Sequence, residues 1–295
     1  MQKPMLANKF EDKKATFPCL VQPKLDGVRC LFDGKQAWTR NLKDHKPHIL
    51  RMLQERYSML TGGLVFDGEL MLPAPWTFQK TVSVVKKEYP AKVDPAPLPE
   101  PEDPDPNYVI TEEDLAYVSS DMLQYHVYDC YFEGRPNVPF TERLITVRSL
   151  LAQVAEEPVL TLDVCDSKTL WESLDRFINE GYEGLIYRNP SGIYKHGRSG
   201  RDLLKLKKFL DAEFQIVGAI EGKGKDKGTL IWVCRMAHDD ERTFKARPMG
   251  TYEWRREAWQ NRVQYFGKML TVRYQELTDD GIPRFPIGVT VRDYE

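Results

Sequence analysis

The chain has 295 residues, 42 basic and 44 acidic side chains, a formal net charge of −2 at pH 7 and 41% hydrophobic residues. That is enough for one large or two modest domains, and no window approaches the ~18 consecutive apolar residues of a membrane-crossing helix. The five cysteines (Cys19, Cys30, Cys130, Cys165 and Cys234) are odd in number and include no C-x-x-C pair, which argues against both a zinc ribbon and a disulfide framework. They read as reduced thiols of an intracellular, cytoplasmic protein, most of them small core residues. The charged stretch Met1 to Lys14 has no apolar run of a secretory signal. At face value, the near-neutral total argues against a polyanionic partner.

In chain order, Phe17 to Val21, Val28 to Phe32 and Gln36 to Arg40 are strand-like runs. They are punctuated by Asp26-Gly27 and Asp33-Gly34, and an Asp-Gly pair between apolar runs is a hairpin signal. A helical stripe of Ile49, Met52, Leu53, Tyr57 and Leu60 spans His48 to Leu60. Leu64 to Met71 reads as a strand and Thr77 to Val85 as a helix. Residues 88–114 differ in composition: nine acids stand against Lys92 alone, and seven prolines fall among them. Such a segment buries too little apolar surface to offset its ordering entropy, so it reads as an exposed insertion centred on about 88–110.

The strand Tyr125 to Tyr131 and the helices Thr141 to Ala155 and Lys168 to Asn179 follow, the second helix closing at Gly181. Leu185 to Tyr187 and Leu203 to Leu206 are short strands. Beyond Glu213 the pattern turns mostly β: Phe214 to Ile220, Thr229 to Met236, Thr243 to Ala246, Met269 to Gln275 and Ile287 to Arg292, with a helix over Tyr252 to Tyr265. Five strands in about 85 residues suit a small OB-type barrel. The expected organisation is α+β, with a first domain over 1–209, a second over 210–295 and a linker near 208–212.

The chemistry-bearing candidates begin with Lys24-Leu25-Asp26-Gly27-Val28-Arg29. Taken alone, this is a charged β-turn. Taken as a site, it holds a nucleophile: an amine attacks phosphorus only when neutral, and ordinary lysine titrates near ~10.4, so neighbouring cations or desolvation are required. A polyphosphate substrate also needs carboxylates, a divalent metal and further cations. Phe66-Asp67-Gly68-Glu69-Leu70 places a carboxylate at a strand end, and Val127-Tyr128-Asp129 offers an aromatic that can stack on a base. Glu183-Gly184-Leu185-Ile186-Tyr187-Arg188 adds an acid. Leu204-Lys205-Leu206-Lys207 puts two lysines on one face of a strand, a pattern that an amphipathic edge strand also produces.

These five motifs, in this order, resemble the nucleotidyltransferase motifs of the ATP-dependent DNA ligases and their relatives, the RNA ligases and mRNA capping enzymes. The resemblance runs from about Met5 to the C-terminus. It implies an ATP-grasp-like adenylation domain of antiparallel sheets and helices, followed by an OB-fold domain. It implies ATP, Mg²⁺ (or Mn²⁺) and nicked duplex DNA as cofactors and partner, in a minimal two-domain enzyme acting as a monomer. Lys24 would take AMP covalently, and Asp26 and Arg29 would shape the site and contact ribose or phosphates. Gln22 would touch the adenine, and Tyr128 would stack on it unless it is an ordinary strand aromatic. Glu69 would contact ribose or metal, Glu183 would bind metal, and Lys205 and Lys207 would bind the AMP phosphate.

Arg40 would grip the nick 5′-phosphate. Arg188, where many relatives carry lysine, Lys195 and Arg198 would face DNA. Lys223 and Lys225 would do so from the Gly/Lys stretch that opens the OB domain, unless that stretch is a flexible turn. Arg284 and Arg292 would orient the ATP pyrophosphate, with a domain rotation between steps. His196 reads as a solvated loop histidine. NAD⁺-dependent ligases carry a four-cysteine zinc module that this sequence lacks, so ATP is favoured. An RNA ligase and a non-catalytic nucleic-acid clamp are the alternatives. Without residues 88–114 the remaining charge is +6, and residues 188–208 hold seven bases against Asp202. The acidic insertion therefore masks a basic footprint.

Overall fold

In the computed structural model, the structure describes residues 1–74, 76–87, 122–237, 241–278 and 280–292. The acidic, proline-rich segment lies outside the described residues, as do the three residues Asp293-Tyr294-Glu295. The chain divides into two compact units, Met1–Leu206 and Lys207–Glu295. The division falls inside the Leu204 to Lys207 motif, ahead of the linker expected from composition.

In the first unit the strands are β1 (Met5–Leu6), β2 (Asn8–Lys9), β3 (Cys19–Lys24), β4 (Val28–Phe32), β5 (Ala37–Thr39), β6 (Leu64–Met71), β7 (Gln124–Phe132), β8 (Leu162–Val164), β9 (Gly184–Arg188), β10 (Gly197–Arg198) and β11 (Leu203–Leu206). The helices are α1 (Pro47–Tyr57), α2 (Phe78–Lys86), α3 (Phe140–Leu151) and α4 (Ser167–Asn179). Local chemistry sets their ends. Pro47 opens α1, where its missing N–H costs nothing. The side chains of Thr77 and Asp166 accept from Lys80 N and Thr169 N at the starts of α2 and α4. Gly181, at φ +87, takes the left-handed turn after α4.

Two main sheets form, β2-β11-β9-β3-β8 and β5-β4-β6-β7, beside a small β1-β10 pair. Pairing is antiparallel except for the short parallel contacts β1-β10 and β2-β11. Alternation along the strands builds three apolar layers. Phe32, Phe66, Leu70 and Val127 pack against Ile49, Leu53, Tyr57, Val84 and Val147 of the helices. Val21, Leu185, Tyr187, Leu204 and Leu206 pack against Leu170, Leu174 and Phe177 of α4. Leu31, Val65 and Tyr131 of one sheet meet Ile186 and Leu203 of the other. The unit is thus helices, sheet, sheet, helix, and the inner faces of the sheets look at each other.

One expected hairpin is absent. Asp33-Gly34 does join paired strands, β4 and β5, but Asp26-Gly27 does not. β3 pairs with β8 and β9, whereas β4 pairs with β5 and β6. The turn therefore carries the chain from one sheet to the other. Gly27 is needed there because a Cβ would sit 2.4 Å from Leu70 O and 2.8 Å from Glu69 Cγ.

The second unit contains β12 (Leu210–Glu221), β13 (Leu230–Arg235), β14 (Thr243–Pro248), α5 (Tyr252–Gln260), β15 (Met269–Tyr274) and β16 (Ile287–Arg292). The five strands close in the order β12-β13-β14-β16-β15 around Phe214, Ile216, Leu230, Trp232, Phe244 and Leu270. All five cysteines are free thiols; Cys165 is exposed and the other four are buried. No helix among the described residues is long and apolar enough to cross a membrane.

Candidate nucleotidyl-transfer site

The site lies where the inner faces of the two sheets approach the turn Leu25 to Gly27. Gln22 and Lys24 are two residues apart on β3 and share a face. The register aligns Gln22 with Ile186 of β9, and Ile186 with Lys205 of β11, so Lys205 projects from that same face. Lys24 ends its strand opposite Gly184, and the Glu183 N–H donates to Lys24 O at 3.1 Å. That brings the Glu183 carboxylate onto Lys24 Nζ in an ion pair. Lys24 Nζ also donates to Leu25 O at 3.4 Å.

The facing sheet supplies the second half. Arg29 of β4 is in register with Glu69 of β6. Its guanidinium grips Asp67 by two bonds, Nε to Oδ1 at 2.8 Å and Nη2 to Oδ2 at 2.5 Å. Tyr194 Oη donates to the same Oδ2 at 2.6 Å. Asp67 pairs with Asp129 and Gly68 with Val127, so Tyr128 is the extra residue of a β-bulge. Such bulges re-aim side chains. Here Tyr128 Oη lies 3.4 Å from Glu69 Oε2 as donor, and the guanidinium of Arg29 lies 5.6 Å from its ring centroid. Burial pushes the Glu69 carboxyl up to about 7, against the charges of Arg29 and Lys24, which favour the carboxylate.

Behind the site sits a closed network. Asp129 accepts from Arg143 at Oδ1 (Nε, 2.7 Å) and Oδ2 (Nη2, 3.0 Å), from Arg188 Nη1 at Oδ2 (2.8 Å) and from Cys130 N–H (2.8 Å). Burial works to raise its pKa, but the two arginines and these hydrogen bonds outweigh it and hold the carboxyl below the ordinary range. Arg188 Nε also donates to Gln22 Oε1 at 2.9 Å, while Gln22 Nε2 donates to Tyr128 O (3.2 Å) and Thr161 Oγ1 (3.1 Å). Arg188 is 4% exposed and Gln22 1%. The first is held in an internal ion pair with Asp129, and the second bonds Arg188, Tyr128 O and Thr161 through its amide.

The other expected residues are dispersed. Arg40 is exposed in the turn after β5. Lys195 pairs with Asp202 at 2.5 Å, and Arg198, exposed on β10, donates to Asn8 Oδ1 at 3.2 Å. Lys223 and Lys225 are exposed in the link from β12 to β13. That link is an ordered turn closed by Gly222 N–H to Thr229 O at 2.8 Å. Lys207 begins the second unit and donates to Gln275 Oε1 at 3.0 Å. Arg284 pairs with Glu276 at 2.5 Å and Arg292 with Glu213 at 3.1 Å. Asp67, Asp129 and Arg143 were not among the expected site residues. The signal for the first two was present: an acid at an inward position of an apolar strand requires a cationic partner.

The first unit is thus an α+β fold carrying this lysine-and-acid pairing, and the second is an OB-like five-stranded barrel. Residues 4–207 match the ATP dependent DNA ligase domain family, and residues 221–292 match the DNA ligase OB-like domain family. The chain belongs to the ATP-dependent DNA ligases. It is 33% identical to the DNA ligase of African swine fever virus (strain Badajoz 1971 Vero-adapted) over 95% of this chain and 66% of that protein. It is 27% identical to a probable DNA ligase of Nocardia farcinica over 92% of this chain and 55% of that one. It therefore spans less than two thirds of the length of these curated relatives. Among solved structures, a minimal-scaffold Lig E DNA ligase shares the fold with a TM-score of 0.71 at 22% identity, covering 99% of this chain and all of that one. A Chlorella virus DNA ligase-adenylate gives 0.52 at 28% identity, with 99% of this chain and all of that one covered.

Proposed function

We propose that this chain is a ligase that seals 5′-phosphate/3′-hydroxyl nicks in duplex DNA through a lysyl-AMP intermediate formed with ATP. The observation that supports this most directly is Lys24, held at a strand end against Glu183 and facing Glu69, Arg29 and Tyr128 across the cleft. Neutral Lys24 Nζ attacks the α-phosphorus of ATP. The N–P bond forms, the bond to the bridging oxygen breaks, and pyrophosphate leaves with the electron pair. The 5′-phosphate of the nick then displaces Lys24 from AMP, and the 3′-hydroxyl displaces AMP.

The chain's residues divide the remaining work. Tyr128 stacks on the adenine and Glu69 accepts from the ribose. Asp26 shapes the turn, Lys205 neutralises charge on the AMP phosphate, and Arg29, locked by Asp67, presents a fixed cation. Lys207, Arg284 and Arg292 are assigned phosphate contacts. Arg40, Lys195, Arg198, Lys223 and Lys225 are exposed cations suited to the DNA backbone.

Among the described residues, no three His, Cys, Asp or Glu side chains form a metal cage. Two carboxylates, Glu69 and Glu183, fit Mg²⁺ held mainly by water and substrate phosphates. When bound, the metal neutralises charge developing on the phosphates.

The test is incubation of the wild-type chain and Lys24→Ala with Mg²⁺ and α-labelled ATP, followed by nicked duplex DNA. A covalent adduct on the wild type alone, discharged by nicked DNA with joining of the strand, is the expected result. Absence of the adduct on the wild type, or discharge only by nicked RNA, overturns the reading.

A further inference from the structure

Arg188 lies on the inner face of β9, and every polar atom it is seen to use points inward. Its Nη1 holds Asp129 of the facing sheet at 2.8 Å, and its Nε holds Gln22 of the adjacent strand at 2.9 Å. Its guanidinium carbon lies 5.7 Å from the Tyr128 ring centroid and 4.6 Å from that of Phe140. Gln22 extends the reach: it is two residues from Lys24, and its amide donates to the backbone carbonyl of Tyr128. One side chain thus touches the ring of Tyr128, bonds to a residue that bonds its backbone, and is one hydrogen bond from the strand that carries Lys24. Arg143 grips both carboxylate oxygens of Asp129, sharing Oδ2 with Arg188, and is itself anchored on Val138 O (2.7 Å) and Gly192 O (2.9 Å).

The physics favours a positioning role. The apolar layer between the sheets is non-directional and tolerates a slip of one sheet over the other. A charge-assisted, multiply bonded pair does not, because its energy depends on angle and distance. Buried ion pairs contribute little net stability compared with apolar packing. A three-residue charge network between the sheets is therefore better explained by what it fixes than by what it stabilises.

We infer that Arg188 is a positioning residue for lysine adenylylation: it holds Tyr128 and the Lys24 strand in mutual register across the two sheets, and it makes no contact with DNA. The inference rests on the nucleotidyl-transfer reading of Lys24.

The test compares the wild type with Arg188→Gln, Arg188→Lys, Gln22→Leu and the exposed Arg198→Ala, each below its unfolding temperature. Two quantities are measured: the single-turnover rate of Lys24 adenylylation as a function of ATP concentration, and the affinity for nicked duplex DNA at several salt concentrations. Arg188→Gln is expected to lose about 100-fold in adenylylation rate at saturating ATP, the scale of an ångström-level misplacement. Arg188→Lys, which keeps the buried charge, recovers part of that loss. Nicked-DNA affinity and its salt slope stay within about twofold in both, whereas Arg198→Ala shows the reverse pattern.

Arg188→Lys combined with Gln22→Leu is expected to be sub-additive, because both act through one link. Normal adenylylation with weakened nick binding in the Arg188 variants overturns the inference in favour of a DNA contact. Additive effects in the double variant overturn the shared link. Absence of a wild-type adduct is a failure of the nucleotidyl-transfer reading itself, and is distinguishable because the control fails with the variants.

Discussion

Two groupings of cation and carboxylate occupy the cleft side of the first unit, and they are built for opposite ends. Lys24 and Glu183 sit at a strand end, with side chains 21% and 6% exposed, beside a turn that switches sheets. Arg143, Asp129 and Arg188 sit between the sheets at 1%, 0% and 5%. In the first, the cation is a single amine on a flexible stem, near solvent. In the second, planar guanidiniums saturate one carboxylate in fixed geometry. Under the proposed mechanism, the same attraction serves a reacting group where the site is open and a scaffold where it is closed.

The comparison breaks most sharply on Lys24→Ala. It is expected to abolish the labelled adduct altogether, at a stability cost below that of breaking a fully buried pair, since Lys24 is partly solvated while Glu183 is not. Asp129→Asn is expected to do the opposite. Two buried guanidiniums lose their counter-charge, which destabilises by about 3–5 kcal/mol, and the loss appears in denaturant unfolding. The sign with pH follows from the lowered carboxyl. The contribution of Asp129 is fully present above the ordinary ~3.9 and is lost as pH falls through its lower folded value. The wild type should therefore resist acid further down than the variant. An unfolding profile of Asp129→Asn parallel to that of the wild type would refute the scaffold role.

Gly27→Ala is expected to cost about 1–3 kcal/mol by overpacking, because its Cβ would meet the Leu70 carbonyl at 2.4 Å. Adenylylation should fall with it, since the turn carries both halves of the site; an unchanged rate and melting temperature would contradict this. Arg198→Ala is expected to reduce the salt slope of nicked-DNA binding by about 1, without changing adenylylation. The smallest effect is His45, which burial holds below its ordinary value while Arg29 O accepts a hydrogen bond from its ring. The unfolded chain binds the extra proton between that lowered value and ~6.5. Stability should climb with pH through this window and level off above it, with a shallower climb in His45→Gln. Urea unfolding at pH 5.5 and 7.5 reads the difference.

Much of the fold was legible because its strands are locally marked. Val28 to Phe32, Leu64 to Met71, Leu203 to Leu206 and Ile287 to Arg292 have the bounds that alternation and turn residues imply. The strands β1, β2, β8 and β10 are two or three residues long, too short to show a period, and exist only through their partners. The bulge at Tyr128 is also invisible to periodicity, since an extra residue reads as ordinary strand until its partner strand is known.

The sequence by itself determined the ordered set of motifs, the basic footprint beneath a neutral total, and the change to β texture after Glu213, because each depends on residue type and spacing alone. The tertiary structure decided where the charges went. It turned the Asp26-Gly27 pair from a hairpin into a crossing between sheets, assigned Lys207 to the second unit, and buried Arg188 and Gln22 against Asp129 and each other. A cation at the end of a strand has the same spelling whether it faces water or a buried carboxylate. Only the opposing sheet, with Asp129, and the helix α3, with Arg143, determine which desolvation it meets and therefore what it does.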